Sequence, residues 1–355
     1  MKFTRKQVLA GAAAGAVGAA GIYELVDKLA SSPPTRPDVT VAMPEQYLLD
    51  GVRIVQSNDV AILLRSDTHA HIDDAAKRLQ DTKLFEITSI RRGFAGGGFD
   101  GGQSLPKRLA VEAGVPGSEL IPDSSELFLG FTSTQRAGMG PGKIANFETL
   151  GYVDFRGNDY FRNGTHMHLS HIQEDLESWY LNFDFDERVT TAFRPNLDVP
   201  ENTQTVPQGP KDVSSVADVR RDYRSSQRIG HSASIQTTSR LQHAVVAADG
   251  TVYPKGAAIP VSADFNTLDN PFSSSVLADE TSETPAAGVH FLVFNPTGDD
   301  FRRNRNAMDG VLPGGTIPFP PRDRNQGFNS VLQTTHRQNF LVPPRRNRSF
   351  PLAEV

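Results

Sequence analysis

The chain has 355 residues, of which 38% are hydrophobic and 22% are charged, and its formal net charge is −5. This length allows one large domain, or two of ordinary size, with a real hydrophobic core. The acidic balance argues against a nucleic-acid partner, which would need a concentrated basic face. The chain contains no cysteine, which excludes disulfides, thiolate metal ligands, iron–sulfur clusters and cysteine nucleophiles.

Residues 1–30 have the pattern of an export signal. A basic start at residues 2–6 precedes an uncharged run rich in Ala and Gly at residues 7–23. This run is short and weakly apolar for a membrane span, which favours an export signal. The order Thr-Arg-Lys-x-Val-Leu resembles a twin-arginine signal with Lys6 in place of the second arginine, so we expect export by that route. An uncleaved membrane tether is the alternative, and residues 31–58 are predicted to be a linker.

The first predicted elements after the linker form a strand–helix–strand unit. The segments DVAILLRSD (59–67) and KLFEITSIRR (83–92) are typical of strands. Between them, apolar residues recur at i, i+3, i+4 and i+7, which predicts one face of a helix. This order indicates an α+β unit.

The second half of the chain shows the same alternation. Residues 163–180 are predicted to begin as a strand and pass into a helix, and residues 184–193 to form a further helix. Residues 286–310 predict a buried strand followed by a helix, with Asp299 or Asp300 near its N-cap. Early and late strand–helix patterns together suggest a duplicated α+β plan.

Three of the nine histidines lie within six positions of one predicted strand: His166, His168 and His171. Residues i and i+2 of a strand share a face, so His166 and His168 should point to one side. His171 should point to the other side unless the strand ends near Ser170. A metal site completed by acidic residues of the next helix remains open. The spacing favours two histidines that line the pocket face of a sheet.

Six segments in chain order resemble the dye-decolorising peroxidase family, and most of all its divergent haloarchaeal-type relatives. They are ITSIRRGFAG, ELFLGFTSTQ, RNGTHMHLSHIQEDLESW, IGHSAS, IPVSADFNTLD and AAGVHFLVFNPTGDDFRRNRNAM. The resemblance runs from about Asp59 to the C-terminus. It implies an α+β fold of two related ferredoxin-like domains, of the dimeric α+β barrel type, with haem b in the second domain. It also implies that peroxide or an organic electron donor is a substrate.

The resemblance also implies the domain boundaries. Residues 59–158 correspond to the N-terminal ferredoxin-like domain, which looks shortened because family members carry a further strand–helix–strand before this block. Residues 159–355 correspond to the C-terminal, haem-type domain. A strand edge left exposed by the shortening could pair with another chain, so we expect a homo-oligomer.

The resemblance places a proximal haem ligand at His231, in IGHSAS. Neutral imidazole binds haem iron axially, and its other nitrogen is usually held by a carboxylate or a carbonyl. A loop histidine that binds nothing is the alternative for this residue.

The distal side departs from the family pattern. Ser133 stands where the resemblance expects the catalytic aspartate, and Ser262 stands where it expects an arginine. A serine is not a general base near pH 7 without an activating partner. Losing an acid–base group costs about 10²–10⁴ in rate. We therefore expect weak or altered peroxidase activity. The alternatives are a haem-free binding or structural relative, and a metal protein that uses His166 and His168.

Overall fold

The computed structural model describes residues 58–87, 90–94, 104–131, 161–162, 164–201, 203, 213–246, 250, 252–269 and 285–344. The predicted export signal, nearly all of the predicted linker and Ser133 lie outside these ranges. Among the helices within them, none is long and apolar enough to cross a membrane.

The described chain contains both helices and strands. The helices are α1 (His69–Asp81), α2 (Leu105–Glu112), α3 (Leu176–Leu181), α4 (Phe185–Ala192), α5 (Val216–Ser226), α6 (His231–Ser239) and α7 (Gly298–Met308), with 3₁₀ turns at Ser118–Leu120 and Gly327–Ser330. The strands are β1 (Thr165–Glu174), β2 (Val245–Val246), β3 (Val252–Tyr253), β4 (Val261–Ser262), β5 (Phe265–Thr267), β6 (Gly288–Asn295), β7 (Val311–Leu312), β8 (Gly315–Thr316) and β9 (Leu332–Val342).

A five-stranded antiparallel sheet forms the frame of the second half. Its order is β4–β6–β1–β9, and β5 also pairs with β6. In chain order, β1 is followed by helices, then by β4, β5 and β6, then by α7 and finally by β9. This is the split β-α-β-β-α-β arrangement of ferredoxin-like folds. The predicted ferredoxin-like α+β class is therefore confirmed for this half of the chain.

The two strands predicted in the first half are not formed where the structure describes them. Residues 60–66 and the described part of 83–92 lie outside any strand, and beyond them Phe94 makes only an isolated bridge to Asn266. Val60 and other apolar side chains of these segments are largely exposed. A strand needs a neighbour to satisfy its backbone groups, and local alternation does not supply one. The helix between them is confirmed as α1, although none of its residues is buried.

Helix starts in the second half follow the capping signals of the sequence. In α7, Asp300 accepts hydrogen bonds from the backbone N–H and the hydroxyl of Thr297, at 2.9 and 2.8 Å. The prediction of an aspartate near this N-cap is confirmed. In α4, the side chain of Asp184 accepts from the backbone N–H of Glu187 at 2.8 Å. Such boxes satisfy backbone donors that the first helical turn leaves free.

Trp179 anchors the largest hydrophobic cluster. It is completely buried in α3, and the rings of Phe131, Phe183 and Phe328 contact it with centroids 5.4–6.5 Å away. Its Nε1–H donates to the carbonyl of Leu129 at 2.9 Å. The indole therefore connects helix α3 to the backbone of Leu129.

We expect Trp179→Ala to lower the free energy of unfolding by about 3–5 kcal/mol, because it empties a fully buried aromatic site. Trp179→Phe should cost less, since it mainly leaves the Leu129 carbonyl without its donor. Urea unfolding followed by far-UV circular dichroism measures both changes. The control is Leu181→Ala in the same helix, at a side chain that is 64% exposed. Equal losses in Trp179→Ala and Leu181→Ala would contradict this account of the core.

Candidate functional site

Strand β1 places its histidines on both faces of the sheet, as their spacing predicts. His168 contacts Phe301 of α7, whereas His171 contacts histidines of the neighbouring strands on the opposite side. The strand continues to Glu174, so it does not end at the point where all three histidines could converge. Within the described residues, no group of three or more His, Asp or Glu side chains is arranged to hold a metal ion.

The face that carries His166 and His168 is covered by α7, and we call it the helix face. The ring of His168 stacks on Phe301, with centroids 3.4 Å apart and planes at 14°. Its Nδ1–H donates to Oδ1 of Asn339 at 2.8 Å. Burial, together with the nearby Arg337, lowers the pKa of His168 to about 3. His168 is therefore neutral at pH 7.

The helix face also holds buried polar atoms without a hydrogen-bond partner in the described part of the chain. They are Nε2 of His168 and Oδ1 of Asn295. His166 and Asn295 are direct cross-strand partners. Buried polar atoms are normally satisfied by protein, water or a ligand. This cluster can therefore hold a polar group that reaches the sheet.

His231, the predicted proximal ligand, is the first residue of α6. Gly230 precedes it and lies so close to Phe193 that a Cβ there would come within 2.1 Å of the Phe193 carbonyl oxygen. This contact requires glycine and fixes where α6 begins. The His231 ring lies against Phe328, with centroids 4.6 Å apart. Burial lowers its pKa to about 4, and Arg305 of α7 adds to that shift.

The imidazole of His231 is consequently neutral at pH 7, which is the form that binds a metal. Among the described residues, no carboxylate or carbonyl is hydrogen-bonded to either of its nitrogens. This differs from the usual partner of an axial histidine. Helix α7 links His231 to the helix face, because Arg305 lies one helical turn after Phe301.

Of the two predicted distal residues, Ser262 is the one that lies within the described part of the chain, on the edge strand β4. Val293 of β6 is the cross-strand partner of both Ser262 and His168, so these two side chains share the helix face two strands apart. The Ser262 hydroxyl donates to Oδ2 of Asp264. Oδ1 of Asp264 accepts from the backbone N–H of Leu292 at 3.0 Å.

The carboxyl of Asp264 is a group that the sequence reasoning missed. Asp264 is an exposed residue that follows the end of β4, and its carboxyl is held by hydrogen bonds from the Ser262 hydroxyl and the Leu292 backbone N–H.

A second cluster, missed by sequence spacing, lies on the opposite face of the sheet. His336, His171 and His290 are cross-strand neighbours on β9, β1 and β6, and we call them the histidine row. The ring of His171 is 5.3 Å from that of His290 and 6.4 Å from that of His336. Its Nδ1 is 2.7 Å from Oγ1 of Thr335. Only the strand register brings these residues together.

The histidine row is buried. Burial lowers the pKa of His171 to about 3 and that of His336 to about 4, and Arg91 is among the charges that lower both. On β6, Nε2 of His290 lies 3.2 Å from the carbonyl oxygen of Arg92 and 3.9 Å from a carboxylate oxygen of Asp269.

Comparison with known proteins identifies a family and distant structural neighbours. The profile of a family of unknown function, DUF7405, matches residues 49–344. None of the curated proteins matches this chain.

Three similar solved structures illustrate the structural neighbours. They are a DyP-type peroxidase from Cellulomonas bogoriensis (12% identity, TM-score 0.40, 78% of this chain and 61% of that one), a dye-decolorizing protein from V. cholerae (13%, 0.36, 78% and 63%) and a haem complex of a DypB variant from Rhodococcus jostii RHA1 (10%, 0.32, 62% and 52%). This chain thus covers less than two thirds of each of them. At such identities and TM-scores, no role of an individual residue is transferred from these structures.

The histidine row should make the protein sensitive to acid. Folded-state pKa values below the unfolded value mean that the unfolded chain binds more protons, so stability is lost as the pH falls from about 6.5 to about 4. We expect His171→Gln to reduce this slope by up to one proton, about 1.4 kcal/mol per pH unit. Urea unfolding between pH 4.5 and 7.5 measures the slope. The exposed His69→Gln is the control, and a slope unchanged by His171→Gln would contradict the expectation.

Proposed function

The chain belongs to the family of unknown function DUF7405, and we propose that it is a haem-binding protein with weak or altered peroxidase activity. We place it in a divergent, haloarchaeal-type branch related to the dye-decolorising peroxidases. The observation that carries this proposal is the partly buried, neutral imidazole of His231, at the sequence position where the resemblance expects the axial ligand. The ferredoxin-like order of the sheet agrees with the fold that the resemblance implies.

The chemistry of the donor set fits haem b on the proximal side. A neutral imidazole can ligate the iron through either ring nitrogen. The unpartnered polar atoms of His168 and Asn295 offer sites for polar groups at the sheet. When bound, haem supplies an iron centre that can react with peroxide, while an organic donor returns the electrons.

The distal side accounts for the reduced activity that we propose. Ser133 and Ser262 stand at the positions of the family's aspartate and arginine, so both permanent charges of the distal pair are absent. Removing an electrostatic stabiliser of a developing charge costs about 10²–10³ in rate. A positive charge on the distal side would have to be supplied by a residue other than Ser133 or Ser262.

We also propose how the full chain is organised. Residues 1–30 direct export by a twin-arginine-like signal, with a membrane tether if the signal is not cleaved, and residues 31–58 form a linker. Residues 59–158 are a shortened first domain, and residues 159–355 are the haem-type domain. The apolar side chains exposed in residues 60–90 support a homo-oligomer of the dimeric α+β barrel type.

A second candidate function is a haem-free binding or structural protein. The contact that favours it is the close stack of His168 on Phe301, which fills part of the space between the sheet and α7. A large planar group at that point would have to displace Phe301.

The visible spectrum of the full chain, expressed with a haem supply and purified, tests the proposal. We expect a Soret band that is lost in His231→Ala, because the variant removes the axial ligand. The matched control is His243→Ala, at an exposed histidine outside the proposed site. Far-UV circular dichroism establishes that the variants are folded.

Each other outcome overturns a defined part of the proposal. A Soret band that survives in His231→Ala would show that the axial ligand is another residue. The absence of the band in the wild-type protein, at full haem supply, would favour the haem-free candidate.

A further inference from the structure

The 3₁₀ turn at Gly327–Ser330, which we call the Gly327 turn, lies directly against His231. Gly327 has a φ of +50°, and a Cβ on it would come within 3.1 Å of the backbone N and Cα of His231 and 3.2 Å of its Cβ. Contacts this short are tighter than ordinary van der Waals packing. Glycine therefore lets this turn approach the histidine backbone more closely than another residue could.

Backbone hydrogen bonds join the Gly327 turn to the residues before His231. The N–H of Gly327 donates to the carbonyl of Ile229 at 2.9 Å, and the N–H of Ile229 donates to the carbonyl of Asn325 at 2.9 Å. Ile229 and Gln326 form a parallel bridge. The position of the turn therefore fixes the backbone that leads into His231.

The first turn of α6 has a second anchor at the end of α4. The carbonyl of Phe193 accepts from the backbone N–H of Ala233 at 3.0 Å. The same oxygen would be 2.1 Å from a Cβ on Gly230. His231 lies between Gly230 and Ala233 in the chain, so its backbone is held both at the end of α4 and at the Gly327 turn.

The ring of His231 is held by packing against the next residue of the same turn. The rings of His231 and Phe328 have centroids 4.6 Å apart and planes at 46°. Phe328 in turn contacts the buried indole of Trp179, with centroids 5.5 Å apart and planes at 67°. Close packing restricts the rotamers that a side chain can adopt. The imidazole is therefore connected to the largest hydrophobic cluster through a single ring.

We propose that the Gly327 turn positions the His231 imidazole, with Gly327 placing the backbone and Phe328 orienting the ring. The inference rests on the proposed function, since the role of His231 as a ligand does. Axial histidines are usually oriented by a hydrogen bond to the second ring nitrogen. In the described part of this chain, packing has that role. Gly327 and Phe328 are positioning residues, because they act through His231.

A general contribution to stability is the competing explanation. Alanine at a positive φ is strained wherever it occurs, so a loss of stability in Gly327→Ala would not distinguish the two roles. Gly314 is the matched control, because it has a φ of +81° and no atom lies within 4 Å of a Cβ there. For Phe328→Leu the control is Phe319→Leu, at a partly buried ring that contacts Tyr223.

The first experiment needs no haem and measures how fast diethyl pyrocarbonate modifies His231 in the folded full chain at pH 7. Trypsin then releases residues 229–240, in which His231 is the only histidine, and residues 241–255, in which the exposed His243 is an internal reference. We expect Gly327→Ala to raise the rate at His231 by about tenfold, because the added methyl group overpacks the contact and opens it. Gly314→Ala should react at the wild-type rate.

The second experiment uses the haem-loaded full chain and the iron–histidine stretching band of the reduced protein, measured by resonance Raman spectroscopy. We expect the band to shift in Gly327→Ala and to broaden in Phe328→Leu, since the imidazole is displaced in one and less firmly oriented in the other. Gly314→Ala and Phe319→Leu should keep the wild-type band. A purely structural role would lower the urea midpoint and leave the band of the folded protein unchanged.

The outcomes separate the positioning role from the proposed function. A Soret band with an unchanged iron–histidine band in both Gly327→Ala and Phe328→Leu would overturn the positioning role and leave haem binding intact. A wild-type modification rate at His231 in Gly327→Ala would overturn the role of Gly327 without reference to haem. No Soret band in the wild-type protein would overturn haem binding, whereas a raised modification rate would still support the positioning of the imidazole by the turn.

Discussion

The pairing of β1 between β6 and β9 is the constraint on which the described structure depends. Ten residues of β1 have register partners on one or both sides, and these pairs decide which side chains share a face. Because side chains alternate with a period of two, a slip of one residue would exchange the two faces completely. His168 would then meet the histidine row, and His171 would meet α7. The central strand β1 therefore carries two different polar clusters, one on each face of the sheet.

Burial on both sides of this strand has a common electrostatic result. His168, His171 and His231 are all held neutral, because each is removed from water and the nearest charges are mainly cationic. A neutral imidazole can bind a metal ion, but it stabilises a neighbouring negative charge poorly. The helix face therefore presents an uncharged imidazole at His168.

Local signals in the sequence predicted the parts of this arrangement that depend on near neighbours. The i, i+2 spacing of His166 and His168, the helix at residues 184–193 and the aspartate at the start of α7 each involve residues within one or two turns. The histidine row could not be predicted in this way, because His290 and His336 meet His171 only through strand register. The expectation of strands at 59–67 and 83–92 was wrong for the same reason. An alternating pattern predicts which side chains share a face, but a strand also needs a partner strand to bind its backbone groups.

The bulge between β1 and β9 has a consequence for how chain length can vary. His171 pairs with His336 and Ile172 pairs with Thr334, so Thr335 is an additional residue in β9. Its hydroxyl lies 2.7 Å from Nδ1 of His171 and 3.0 Å from Nδ1 of His336. Deleting this residue would give a regular ladder with the same cross-strand partners, but it would take away the hydroxyl that lies between two imidazoles. In a homologous chain, the absence of the residue at this position would therefore indicate that no hydroxyl connects the two histidines on this side of the sheet.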